Sequence, residues 1–156
     1  RWLQTVPGLE KVRLEGMSPE VGVRETYRVA GEVVVTQEDY VTGRRWEDAV
    51  CSAFYPIDLQ DKASGVKPAH LAEGVVPTVP LRALIPKGSR NLLVAGRCLS
   101  SDRLANSALR VQGTCMATGQ AAGAAAALAA RLGVTPGAVP MAELKAVLAA
   151  GGAVVP

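Results

Sequence analysis

One run of alanine and glycine constrains this chain more than any other feature. From residue 113 to 130 nearly every side chain is small, and Gln120 is the exception in the middle. That composition predicts a long helix whose backbone comes very close to whatever it faces. The helix start, at Gly113 and Thr114, leaves N–H groups without intrahelical partners and carries the positive end of the helix dipole. Such a start suits an anion or an electron-rich ring. Just upstream, the apolar run at residues 92–95 predicts a fully buried strand closed by Gly96. A polar loop over residues 97–106 joins that strand to the helix. The helix is expected to end at Leu132, with Gly133 as its cap.

The 156 residues make one ordinary domain by length, and 49% of them are hydrophobic, enough for a core. Only 4% are aromatic, so that core has to be built from Ala, Val and Leu. The net charge is +3, and no Lys/Arg block is interleaved with aromatics, which argues against a nucleic-acid partner. Cys51, Cys98 and Cys115 are odd in number and lack CxxC spacing. They fit reduced thiols in a cytoplasmic setting better than a disulfide framework or a zinc site. His70 stands alone, so no histidine cluster can hold a metal within one chain. The apolar run 115–130 falls short of the roughly 20 residues a membrane span needs, and a buried helix with no membrane role is expected. The chain opens RWLQTVPGLEK, without a starting Met or a signal-peptide pattern, and reads as a piece of a longer protein.

Taken in order, residues 1–20 predict loop and extended structure around Pro7-Gly8 and Ser18-Pro19. Val29 and residues 33–35 suggest a strand with Gly31 as a bend or bulge. Thr36 is an expected N-cap, with Glu38 and Asp39 in the first turn of a short helix ending at Gly43. A polar connection over residues 44–48 leads to a second short helix, and residues 51–59 are expected to hold a strand. Residues 60–74 are the expected flexible loop. Pro77 and Pro80 restrict residues 75–85 to an edge or bent strand, and residues 86–89 form a turn. After a Pro136-Gly137 turn, Pro140 opens a last helix. Leu144, Val147 and Leu148 share one face of it, and it stops at Gly151-Gly152.

Four runs carry a resemblance: VGVRETYRVAGEVVVTQEDY, YPIDLQD, LRALIPKGSRNLLVAGRCLS and RVQGTCMATGQAAGAAAALAA. Together they resemble the C-terminal part of FAD-dependent oxidoreductases of the glutathione-reductase-like superfamily. The resemblance covers about residues 7–151 and is most specific over 91–123. It implies an α/β fragment: a small antiparallel sheet with short helices, plus the closing strand and C-terminal helices of an FAD-binding domain. Residues 1–90 would belong to a substrate or cap domain and residues 91–156 to the FAD-binding domain. The Rossmann fingerprint GxGxxG that would hold the ADP half is absent. The implied activity is hydride transfer between a small-molecule substrate and FAD in a longer parent protein. The isolated chain is expected to be inactive, with little or no FAD. Its docking face is expected to meet the missing Rossmann segment or a second copy.

The resemblance sets Val111, Gln112, Gly113, Thr114, Cys115 and Met116 against the flavin ring. Gly96, Arg97 and Arg110 flank it, with Gly96 giving the strand end close approach to the cofactor. Arg24 and Arg82 are the candidate grip on a substrate carboxylate. No catalytic residue and no metal ligand is assigned. Plainer roles stand beside these. Arg97 and Arg110 also suit surface or ion-pair positions, and Arg24 and Arg82 suit structural ion pairs with Glu25 or Glu32. Gly119 and Gly123 suit ordinary close helix packing. Cys115 suits a small buried side chain as well as a thiolate favoured by the helix start. Asp58 suits a polar anchor or helix cap, and His70 a solvent-facing position. The sequence departs from the family pattern at Tyr27, at Gln60 and in the run 79–82, all on the presumed substrate side. Two other classes remain open: a non-catalytic assembly module with a flavoprotein-derived fold, and a small anion- or nucleotide-binding domain complete in itself.

Overall fold

A 3₁₀ turn at Trp2–Thr5 comes first, within the stretch expected as loop and extended structure, and Thr36 then opens the first α-helix as its side chain suggests. In the computed structural model, which describes residues 2–20, 22–25, 27–61, 65–66 and 68–156, its hydroxyl accepts from the N–H of Asp39. The Asp39 carboxylate accepts in return from the Thr36 N–H, closing a capping box. The resulting helix is α1, Gln37–Val41, and Gly43 follows with a left-handed φ of 69°. Next come strands β1 (Ala49–Ser52), β2 (Gln60–Asp61), β3 (Gly65–Val66) and β4 (Thr78–Pro80). Three helices complete the order: α2 (Arg103–Leu109), α3 (Gln112–Leu132) and α4 (Met141–Ala150). This is the expected α/β architecture with a small antiparallel sheet. β1 pairs β4 with Ser52 opposite Thr78, and β2 pairs β3.

Several local expectations move. The second short helix expected after the polar connection 44–48 does not form: residues 47–48 turn and lead straight into β1, which lies at 49–52 instead of within 51–59. Residues 33–35 form no strand; Gly31 bridges Pro86 and Val35 bridges Ser101 as isolated contacts. A Cβ on Gly31 would sit 2.6 Å from the Ser100 Cβ, so close chain approach, not a bulge, demands the glycine. Beyond Pro80 the chain turns into a 3₁₀ helix, Leu81–Leu84, so the proline-bounded strand is only three residues long. The expected loop at 60–74 holds the short β2–β3 ladder; residues 62–64 and 67 lie outside the described set. Residues 92–95 carry no ladder: Leu92 is 52% exposed, and Val94 alone donates to a neighbouring segment, at Leu84 O. Pro140 caps α4 rather than opening its first turn.

α3 is the spine. Its buried positions, Thr114, Thr118, Ala121, Ala125, Leu128 and Ala129, recur at helical spacing. That face lies against β1 and α4, and the small side chains of Ala121, Ala125 and Ala129 on it let backbones approach. Gly133 closes the helix in the left-handed conformation, its N–H donating to Ala129 O. From α4, Leu144 and Leu148 enter the core, each worth about 1.5–3 kcal/mol of burial, while Val147 is exposed. The core joins Val35, Tyr40 and Leu84 to Leu99, Leu109 and Leu144, so residues on both sides of position 90 share it. Gly119 and Gly123 lie on the outward face, where an added Cβ would meet nothing within 4 Å. No helix among the described residues is long and apolar enough to cross a membrane.

Candidate active site at the mouth of α3

The start of α3 is built by a break in what would otherwise be one helix. Asp102 caps α2, accepting from the Ala105 N–H at 2.7 Å. That cap signal marks a helix inside the stretch expected as polar loop. α2 ends at Arg110, whose N–H donates to Asn106 O. Val111 then adopts an extended backbone (φ −70°, ψ 153°) and α3 begins at Gln112. Val111 has no side chain able to cap, and the first turn of α3 holds no acidic residue. Cys115 N–H is the first to donate back, to Val111 O. The N–H groups of Gln112, Gly113 and Thr114 therefore have no acceptor among the described residues. A Cβ at Gly113 would meet nothing within 4 Å, so the approach to this turn is open.

Gly96 is held directly beside the mouth. It starts a short 3₁₀ helix, Gly96–Cys98, with a left-handed φ of 74°. Its N–H donates to Thr118 Oγ1 at 3.1 Å, and the Thr118 hydroxyl donates to the Thr114 carbonyl at 2.9 Å. The nearest atom to a Cβ at Gly96 would be the Cys115 Cβ at 3.9 Å, an ordinary contact. Within the chain it is the backbone angle, not crowding, that requires glycine there. Asn106, fully buried, donates to the Arg97 carbonyl at 3.2 Å and to Ser101 Oγ at 3.3 Å, which ties the Gly96–Cys98 turn to α2. Thr118 and Asn106 escape a reading of the sequence, because a Thr and an Asn inside small-residue helices carry no distinguishing spacing.

A cavity of about 210 Å³ opens at the α2–α3 junction, lined by Arg24, Tyr55, Asp58, Arg97, Ser107, Arg110, Val111 and Gln112. It gathers residues expected on the cofactor side with Arg24 from the substrate side. Arg110 is mostly buried and engaged: Nη1 lies 2.9 Å from Glu25 Oε2, and Nη2 donates to the Asp58 carbonyl at 3.3 Å. Glu25 also meets Arg28 at 3.3 Å and Arg103 at 3.7 Å. Arg97 donates to Val23 O at 3.4 Å, and neither Arg97 nor Arg24 has a carboxylate partner among the described residues. Asp58 is no helix cap. Its N–H donates to Ser107 Oγ at 3.1 Å, and its Oδ1 is buried with no hydrogen-bond partner among the described residues.

Arg82 does not join Arg24. Its Nε and Nη2 donate to the two oxygens of Asp48 at 3.0 and 3.1 Å, the ion-pair role rather than a ligand grip. Met116 is 69% exposed and faces a separate apolar hollow of about 550 Å³ with Val50, Phe54 and Leu148. Burial pushes the Cys115 thiol up despite the charge of Arg97 nearby, so the thiolate expected from its place in the first turn is disfavoured. His70 is exposed.

A family model described as FAD dependent oxidoreductase matches residues 1–148 of the chain. No curated protein and no solved structure matches it.

Proposed function

The chain belongs to the FAD-dependent oxidoreductase family, and from that premise we propose that it forms the flavin-facing wall of a redox site completed by a longer parent protein. The observation that carries this is the uncapped start of α3, with three N–H groups unpaired among the described residues, no acid in the turn and open approach at Gly113. These groups fit the electron-rich edge of an isoalloxazine. When bound, FAD supplies hydride acceptance from, or donation to, a small-molecule substrate. The chain's part is electrostatic: N–H groups of Gln112, Gly113 and Thr114 and the dipole of a 21-residue helix favour negative charge at the ring edge. Arg97 and Arg110 add positive charge beside it. Gly96, pinned by Thr118, keeps the neighbouring backbone close without a side chain in the way.

Residues 91–156 then serve the flavin and residues 1–90 the substrate. The parent's Rossmann segment holds the ADP half, so this chain alone retains little FAD and no activity. The three free cysteines suit a reducing, cytoplasmic compartment.

A single substitution separates binding from folding. Gln112→Glu places a carboxylate in the first turn, where it stabilises the helix by about 0.3–1 kcal/mol. The same charge repels the ring edge. The expected result in the parent protein is an unchanged or raised melting temperature with flavin affinity lowered about tenfold or more, measured by flavin absorbance after dialysis. Equal flavin retention in both proteins would remove α3 from the cofactor site. A parent that never carries flavin would instead favour the non-catalytic assembly module.

A further inference from the structure

A single carboxylate ties the α2–α3 junction to the segment before α1. Glu25 Oε2 lies 2.9 Å from Arg110 Nη1. Its Oε1 lies 3.3 Å from Arg28 Nη1 and 3.7 Å from Arg103 Nε. None of the three arginines has another carboxylate partner among the described residues. We infer that Glu25 is a positioning residue of the redox site: it fixes Arg110, and through Arg110 the positive charge beside the first turn of α3. The inference rests on the proposed flavin site and names the residue that sets its charge.

Burial makes the tether matter. The side chains of Arg110 and Glu25 are 13% and 19% exposed, so water screens the pair poorly. Arg103 is longer in contact and largely exposed, and it adds little. The other contact of the Arg110 guanidinium is the neutral Asp58 carbonyl, at 3.3 Å. A neutral acceptor does not compensate a buried charge. Without Glu25 the guanidinium therefore turns toward water and its charge is screened. Its place bears on the mouth directly: Arg110 caps the end of α2, Val111 follows with extended backbone, and α3 starts at Gln112. The Arg110 side chain lines the hollow at that break together with both residues.

The same carboxylate reaches the other side of the mouth. Arg28, held by Glu25, donates from Nε to the Ser101 carbonyl at 3.1 Å. Ser101 Oγ accepts from Asn106, which also holds the Arg97 carbonyl in the Gly96–Cys98 turn. Glu25 stands 85 positions from Arg110 in the chain, and the described residues just before it, 22–24, are exposed. A charge turned inward from an exposed run, onto the two elements that flank one helix start, serves to place those elements.

The test is the flavin midpoint potential of the full-length, flavin-bound protein, measured by spectroelectrochemistry, with the melting temperature read on the same samples. Arg110→Gln removes positive charge and should shift the equilibrium about tenfold toward oxidised flavin, a fall of about 30 mV for two electrons. Glu25→Gln should lower the potential in the same direction. Loss of a carboxylate by charge alone would raise it, so a fall is the mark of action through Arg110. The double variant should match Arg110→Gln, because the two changes break one interaction. Arg110→Lys keeps the charge without the planar fork and should recover part of the shift. Glu25→Asp keeps the charge with a shorter reach, so its potential should fall by a smaller amount, and it carries the test if Glu25→Gln does not fold. The inference is overturned if Glu25→Gln raises the potential or leaves it in place, if the two single shifts add in the double variant, or if Glu25→Asp leaves the potential unmoved. A melting temperature lowered at constant potential reduces Glu25 to a structural ion pair. Flavin retained at an unmoved potential sinks this inference alone; a parent that carries no flavin sinks the redox reading and this inference with it.

Discussion

Thr118 is the residue on which the geometry of the mouth turns, although nothing in its sequence setting marks it. Its hydroxyl is fully buried and is the acceptor for the Gly96 N–H. Thr118→Val keeps the shape and removes that acceptor, leaving a backbone donor unpaired at a cost of about 1–3 kcal/mol. The melting temperature should fall accordingly, and flavin affinity in the parent should fall with it, since Gly96 is then free to shift from the first turn of α3. A variant as stable as the parent would show that water replaces the hydroxyl and that the clamp is unimportant. Cys115 makes the opposite point. A place in the first turn of a helix suggests a thiolate, yet burial against Gly96 and Leu109 pushes its thiol up. With iodoacetamide at neutral pH, Cys115 should react well behind the exposed Cys98, as peptide mapping by mass spectrometry will show. Labelling of Cys115 first would return it to the list of reactive groups.

At the scale of elements, what was legible in the sequence is what local chemistry decides. Thr36 with Asp39 three residues on, Gly43 and Gly133 in the left-handed region, and the alanine spine of α3 depend on neighbours in sequence, and all stand where the residues suggest. Elements that depend on distant partners were not legible. The run 92–95 is as apolar as a buried strand, but within this chain only Val94 finds a backbone acceptor, at Leu84. The strand β1 falls where charged residues 47–48 precede it, because β4 supplies its ladder. Of the candidate site, the start of the long helix was legible, whereas α2 falls partly in the stretch read as polar loop, its break at Val111 was not foreseen, and the meeting of Arg24 with Arg97 and Asp58 is purely tertiary. The turn after β4 shows how such long-range contacts respond to pH. Burial opposes ionisation of Asp48, but hydrogen bonds from the Arg82 side chain and backbone N–H outweigh it and hold the carboxyl below its ordinary value of 3.8. A depressed carboxyl contributes stability that is fully present above the unfolded value and is lost as pH falls through the folded one. Asp39, with Arg44 and Thr36 as partners, is lowered in the same direction. The melting temperature should therefore be flat from about pH 7 to 5 and drop below about pH 4. Asp48→Asn should lower stability at neutral pH and shallow that acid slope, leaving the part due to Asp39. An unchanged slope would mean that the ion pair, whose arginine is 47% exposed, is already screened by solvent.

Surface area poses the question of the whole molecule. A folded monomer of 16.2 kDa is expected to expose about 7,500 Å². This chain exposes 9999 Å². Residues 7–20 are exposed throughout, Leu92 and Met116 present apolar side chains to solvent, and the outward face of α3 at Gly119 and Gly123 touches nothing among the described residues. A side-chain-poor helix with one buried face and one bare face is suited to a second layer, and Ala and Gly there cost little entropy to cover. Expressed alone, the chain is expected to self-associate through this face, giving a mass above 16.2 kDa by light scattering that rises with concentration. Leu92→Lys and Met116→Lys together should reduce that association without lowering the melting temperature, since neither side chain is buried in the core. If a Rossmann segment covers the face in a longer parent, as proposed, that parent should be indifferent to concentration over the same range. A chain that stays monomeric with the hydrodynamic radius of a compact 16.2 kDa globule would instead favour a self-sufficient anion-binding domain, and the α3 mouth would then have to be complete without a second layer.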